Sequence, residues 1–401
     1  MRIVCINQFF PPAHAPTGRL LKEVCDELAG MGHEVTVITS AGAYGTGSGS
    51  SDSIDEVSYD VIRLGSTRAH RSGYAAKLMD YAGFYIRAYR RLGRMRPRPE
   101  VVLHLTTPPF CGSIAAGYGK RFGVPYVGWC MDLYPEALIA DGMAESGHLL
   151  MRGLARLASR ERAGAAAVIS LGPDMTERIK ASTDACIEEV PVWSDLQVNP
   201  ADAATVRSLR AARGWAEDEV VLLYSGNMGR AHRAEEFAAL ATAARGAGSR
   251  VRLVMSGQGP MREAWQQAWR DTFEWLEPAR NVDVAVHLQA ADIHLISQNP
   301  GWEGVVVPSK YQAACAVGRP VVFAGPPESA VGGWIREGGT GWILPPGDAS
   351  AIACVLKEIE EDELRHEKAI CALTQNRTLF DAARSRRRIA EIVVKAAESK
   401  S

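Results

Sequence analysis

The sequence contains no apolar run approaching the roughly 18–20 residues of a membrane-crossing helix, so an integral helical membrane protein is not expected. A secretory leader is not expected either: Gln8 and the Pro11-Pro12 pair break the short apolar stretch behind Arg2. Net charge is nearly absent, at −1 from 45 basic and 46 acidic residues. A protein bound to bulk nucleic acid would carry a clear basic excess. None of the eight cysteines forms a C-x-x-C pair, and most stand in apolar runs. Reduced thiols in a core fit this better than a disulfide framework or a zinc site. These absences predict a cytoplasmic chain without a metal or a nucleic-acid partner.

What is present is ordinary for a folded chain: 47% hydrophobic and 23% charged residues. The 401 residues exceed what one core usually holds, so two domains are expected. Met1–Phe9 reads as a buried strand, Thr17–Met31 as a helix and Glu34–Thr39 as a strand, which is a βαβ unit. Strand and helix then alternate, with strands near Val57–Leu64, Val101–Thr106, Tyr126–Cys130, Ala166–Ser170 and Glu189–Trp193. Helices are expected over Tyr74–Met95, Cys111–Phe122 and His148–Ala163. Ala41–Asp55, rich in Gly, Ser and Thr, reads as a loop. The pattern restarts with a helix over Thr205–Arg213, capped by Thr205, and strands at Val220–Ser225, Val251–Ser256, Phe273–Leu276, Ile293–Ser297 and Val321–Ala324. Two Rossmann-like α/β domains follow, with a cleft between them: residues 1–197 and 198–380. Residues 381–401 form a C-terminal helix packing back on the first domain. Ligands in such sheets sit beyond the carboxyl ends of the strands, so the loops after strands carry the chemistry.

The first such loop shows no G-x-G-x-x-G; it reads Pro11, Pro12, His14, Pro16, Gly18, Arg19. Gly18 and Arg19 start a helix, where backbone N–H groups can meet an anion or simply make a turn. The loop Ser225–Arg233 (SGNMGRAHR) places Gly226, Asn227 and Gly229 between a strand and a helix, beside Arg230, His232 and Arg233. Glycine backbone, a helix start and guanidinium groups suit a diphosphate better than they suit a plain turn. Gly257 opens a weaker loop, GQGP. In NPGWEGVVVPSKYQAACAVGRP, Glu303 and Gly304-Val305 precede Ser309-Lys310 at a helix start. A carboxylate for hydroxyls and a cation for phosphate is one reading; solvated surface charge is the other.

These motifs, with TTPPF at Thr106–Phe110, DLYPE at Asp132–Glu136 and GGTGWILPPGDASAIA at Gly338–Ala353, resemble retaining glycosyltransferases of family 4 with the GT-B fold. The likeness is to the colanic-acid and O-antigen type that builds bacterial surface polysaccharide. It implies a hexosyl or N-acetylhexosaminyl transferase that uses a nucleoside-diphosphate sugar as donor, a sugar or lipid-linked sugar as acceptor, and no cofactor. Arg230, Lys310 and Glu303 would be catalytic. Gly226, Asn227, Gly229, His232, Gly257, Gly304, Val305 and Ser309 would bind the donor, and His14, Gly18, Arg19, Asp132 and Glu136 the acceptor side. Asp132 or Glu136 could equally cap the next helix. Two departures stand out. The family's second glutamate of an E-x7-E pair falls on Tyr311 or, aligned from Gly318-Arg319-Pro320, on Ala313. A histidine common before Asp132 is Met131. A sugar-nucleotide epimerase on the same scaffold and a non-catalytic binding protein therefore stay open as alternatives. From Arg68 to Arg98 the chain is basic and aromatic, which suits peripheral attachment to the inner face of the plasma membrane, or an ordinary solvated amphipathic helix.

Overall fold

Burial of consecutive β-branched and leucine residues builds two parallel sheets. The computed structural model describes residues 1–13, 15–41, 57–65, 74–143, 145, 147–194, 202–278 and 284–399. His14 and residues 42–55 of the expected loop lie outside the described residues. The chain divides into one unit of Met1–Pro191 with Ala383–Ser401, and a second of Val192–Ala382.

The first unit holds β1 (Arg2–Ile6), β2 (Glu34–Ser40), β3 (Asp60–Leu64), β4 (Val101–Leu105), β5 (Tyr126–Trp129), β6 (Ala167–Ser170) and β7 (Ile187–Glu189). Their order is β3-β2-β1-β4-β5-β6-β7, every pair parallel. Strands covered on both faces read as continuous apolar runs, and all five residues of β4 are buried. The Ala382–Glu398 helix is tied to this unit by Arg386–Glu23 at 2.8 Å and Arg388–Glu188 at 2.7 Å.

The second unit holds β8 (Val220–Ser225), β9 (Val251–Ser256), β10 (Glu274–Leu276), β11 (Ile293–Ser297), β12 (Val321–Ala324) and β13 (Gly341–Leu344). Their order is β10-β9-β8-β11-β12-β13, again parallel. Strand order reverses between β8 and β11, and between β1 and β4 in the first sheet. Connections leave such neighbouring strands in opposite directions, which opens a crevice at their carboxyl ends.

Several elements differ from expectation. The helix expected over Thr205–Arg213 runs Ala203–Ala212, and its cap is Asp202, whose carboxylate accepts from Thr205 N–H at 3.3 Å. Aspartate one turn earlier reaches the free N–H groups that a threonine inside the helix cannot. The strand expected at Glu189–Trp193 pairs at Ile187–Glu189 instead. Helices Ala330–Gly338, Ala349–Ile359 and Asp362–Thr378, and β13, were not expected from the pattern.

Candidate active site

The two loops that flank the second switch point, after β8 and after β11, are the ones rich in glycine and charge. The loop after β8 is pinned from below. Met228 is fully buried, its N–H donates to Gln258 O at 2.7 Å, and its carbonyl accepts from Met261 N–H at 3.0 Å. The loop after β9 therefore grips the loop after β8. Their backbones touch so closely that a Cβ on Gly257 would lie 1.9 Å from Gly226 O. Gly226 itself sits at φ +132°, where a Cβ would come within 2.9 Å of Lys310 Cε. Glycine is required at both places because a side chain has no room.

The gap left at Gly226 is filled by Lys310, the first residue of the Lys310–Ala316 helix. Its Nζ donates to Asn227 O at 3.2 Å and approaches His232 Nε2 at 3.1 Å, 5.1 Å from the centre of the Tyr224 ring. His232 Nδ1 lies 2.7 Å from Ser297 O. A carbonyl only accepts, so Nδ1 carries the proton and Nε2 offers its lone pair to the ammonium. His232 is thus neutral; burial first, and the Lys310 charge second, push its pKa down to about 3. Burial likewise lowers Lys310 to about 8. Lys310 is half-buried and its ammonium has only neutral partners, so an arriving anion would meet a cation that is poorly compensated.

Asn299, which sequence reasoning did not single out, fixes the loop that carries these groups. Its Nδ2 donates to Arg230 O at 2.8 Å and to His232 O at 3.0 Å. The signal available was an amide with two donors directly beyond a buried strand. Gln298 does the same for the following loop, donating to Trp302 O and Val306 O, each at 3.0 Å.

The structure brings together Gly226, Asn227, His232 and Lys310, with Gly257 beneath them. Arg230 is exposed on the same loop. Gly229 is half-buried there, a Cβ on it being 3.0 Å from Asn227 Nδ2. Glu303 is half-buried and turned back on its own loop, its Oε2 accepting from Gly301 N–H at 2.8 Å. Ser309 is exposed before the helix, and Gly304 is buried at φ +66°. Val305 differs from expectation as a backbone donor: its N–H is already spent on Trp302 O at 3.0 Å, and its side chain is core. Arg233 is also taken, forming a two-pronged pair with buried Glu236 at 2.6 Å per contact.

Of the two placements for the missing glutamate, Tyr311 belongs to the core. It is fully buried, its hydroxyl bonds Thr340 Oγ1 at 2.7 Å and Gln375, and its ring stacks on Trp334. Ala313 lies one turn beyond Lys310 and is half-buried, so that face of the helix presents only a methyl group.

In the first unit, Gly18 N–H and Arg19 N–H both donate to Ala15 O, at 3.0 and 3.2 Å. These two N–H groups close the helix's first turn, which is the second of the two readings the sequence left open. Asp132 stands beyond β5, its backbone N–H donating to Thr106 Oγ1 at 3.2 Å, and burial raises its carboxyl to about 6. It caps no helix: Pro135 precedes the Glu136–Ala140 helix and no side chain caps it. Glu136 pairs with Arg162 at 3.3 Å, and Arg162 also holds Tyr134 O. That pairing gives Glu136 a part in fixing its own loop.

Comparison with known proteins matches this layout. Residues 17–193 fit the family model described as a glycosyl transferase 4-like domain, and residues 219–362 the model for glycosyl transferases group 1. The chain is 23% identical over 379 residues to the probable glycosyltransferase WbjE of Pseudomonas aeruginosa, covering 90% of each. Among solved structures it is similar to sucrose-phosphate synthase of Thermosynechococcus elongatus, with TM-score 0.75, 17% identity and 100% of each chain covered. Anabaena HepE in complex with UDP gives 0.70 at 14% identity, over 98% of this chain and 100% of that one. WaaG, a glycosyltransferase involved in lipopolysaccharide biosynthesis, gives 0.67 at 17%, over 98% and 99%. The chain therefore carries a glycosyl transferase 4-like domain followed by a glycosyl transferases group 1 domain, and is built as a glycosyltransferase of the GT-B fold.

Proposed function

We propose that the chain is a retaining transferase. It moves a hexose or N-acetylhexosamine from a nucleoside-diphosphate sugar to a hydroxyl of a sugar or lipid-linked sugar, in assembly of bacterial surface polysaccharide on the cytoplasmic side of the membrane. The observation that carries the reading is Lys310, a half-buried cation held by neutral partners at the switch point of the second sheet. Two relatives support the direction: WaaG acts in lipopolysaccharide biosynthesis, and HepE has been solved with UDP and glucose.

In this reading the difficult event is cleavage of the bond between the anomeric carbon and the phosphate. Negative charge then grows on the departing diphosphate, and preorganised cations aimed at it lower the barrier. Lys310 and Arg230 supply that charge without a metal, and the glycine loops let the phosphates approach the backbone. His232 keeps Lys310 aligned without competing for charge. Glu303 accepts from hydroxyls of the donor sugar. The acceptor attacks from the face the diphosphate leaves, and a phosphate oxygen takes its proton, so configuration is retained and no protein nucleophile is needed. Asp132 orients the acceptor hydroxyl.

A coupled assay tests this. Release of nucleoside diphosphate should require both donor and acceptor. Turnover of donor alone into an epimer or free nucleotide would replace the transferase by an epimerase.

A further inference from the structure

The helices Tyr74–Gly93, Gly112–Phe122 and Leu149–Ala163 follow β3, β4 and β5 and cross to the strand on the same side, so right-handed connections place all three on one face of the first sheet. The middle helix packs against each of the others. The sequence drew attention to the first of them. There Phe84, Ala88 and Leu92 are buried in the core, while Met79, Ile86 and Arg90 face outward.

The Leu149–Ala163 helix is the more unusual. Its inward stripe is Met151, Ala158 and Arg162. Its outward half should be polar if it faced only water. Instead Leu149 is 79% exposed, Leu150 59% and Leu157 41%. At 100° per residue Leu150 and Leu157 share one flank of the outward face, and Leu149 stands at its centre, about 20° from Arg156 and from Arg160. Arg152, Arg156 and Arg160, all exposed, occupy its centre and other flank and form no ion pair among the described residues. The helix's one acid, Glu161, is turned under, its carboxylate held by the Gly112 and Ser113 N–H groups. Beside the leucine flank runs a groove of 670 Å³, walled by Ala116, Gly117 and Leu157 and edged by Lys120 and Arg160.

Apolar side chains in water beside cations without counter-charges fit one kind of surface: apolar a few ångströms down and negatively charged on top. We propose that this face of the first unit, centred on the Leu149–Ala163 helix, docks on an anionic phospholipid bilayer. The leucines enter the headgroup boundary and the arginines lie at the level of the phosphates. The proposal does not depend on the transferase reading, since it uses none of the residues assigned to donor or acceptor.

The test is cosedimentation of the full chain with vesicles of phosphatidylcholine alone or mixed with phosphatidylglycerol. Binding to the anionic vesicles at low salt, lost at about 0.5 M salt, is expected. Each arginine near the surface strengthens binding about fivefold, so Arg152→Gln, Arg156→Gln and Arg160→Gln together should weaken it about a hundredfold. Leu149→Ser with Leu150→Ser should also release the protein while leaving the melting temperature unchanged, because both side chains are exposed. Equal binding to neutral and anionic vesicles, no binding to either, or wild-type binding by both variants would overturn the proposal. So would a concentration-dependent dimer abolished by the leucine changes, which would give this face to a second copy of the chain.

Discussion

Replacing Lys310 by Met should make the ligand-free protein more stable and the ligand-bound protein weaker. Burial holds the Lys310 ammonium at about 8, against an ordinary value of 10.5. At about 1.4 kcal/mol per pH unit, that gap bounds the cost of keeping the charge at pH 7 at about 3 kcal/mol. Met preserves the volume. Asn227 O keeps its bond from Tyr224 Oη at 2.9 Å, but His232 Nε2 loses its donor, which returns about 1–2 kcal/mol. A net stabilisation of about 1–2 kcal/mol at pH 7 is expected. The sign with pH is definite. Between 8 and 10.5 the unfolded chain keeps a proton that the folded chain has lost, so wild-type stability rises with pH across that window. Below 8 the full penalty is present. The advantage of Lys310→Met should therefore shrink as pH climbs through 8. Urea titrations followed by tryptophan fluorescence read this directly, because every tryptophan except Trp129 lies in the second unit. An advantage that stays constant from pH 7 to 9.5, or a destabilised variant at pH 7, would refute the reasoning.

Donor-sugar affinity should stay level between pH 5 and 7, because His232 remains neutral far below that range, and should fall as pH passes 8 and Lys310 sheds its proton; calorimetric titration across pH checks both limbs. Gly226→Ala should push Lys310 off its partners and weaken donor binding about tenfold or more, since its Cβ meets Lys310 Cε at 2.9 Å; wild-type affinity would count against the packing argument. Glu303→Ala and Arg230→Lys should each lower turnover by about 10²–10³ with the fold unchanged, the latter because an ammonium cannot reproduce the planar guanidinium, and steady-state kinetics would show it. Tyr311→Phe should cost about 1–3 kcal/mol of stability by stranding buried Thr340 and Gln375, and leave donor affinity unchanged in the same titration.

The loops after β8 and β11 were legible because glycine, charge and a preceding apolar strand coincide there. What was not legible is which groups are already spent. Gly18 and Arg19 resemble an anion site until their N–H groups are seen on Ala15 O, and Arg233 resembles a phosphate ligand until buried Glu236 is found beneath it. Both engagements depend on side-chain and loop geometry that spacing does not encode. The region from Ala330 to Leu344 was missed as helix and strand because Gly332, Gly333, Gly338, Gly339 and Gly341 weaken every local propensity, and burial of Trp334 and Leu344 overrides them. Lys310 was found as a candidate from Ser-Lys at a helix start, but its neutral histidine partner comes from the loop after β8, 78 residues earlier.

The central claim is that the second unit holds a nucleoside diphosphate through Lys310 and the interlocked glycine loops. Isothermal titration of the wild-type chain with UDP-, GDP-, ADP- and dTDP-sugars, each beside its nucleoside monophosphate, tests it most directly. The account predicts that one donor sugar binds, at least about tenfold tighter than its monophosphate, because charge-assisted contacts to the diphosphate are worth about 1.5–3 kcal/mol. Binding of no donor, or equal affinity for the monophosphate, would contradict it.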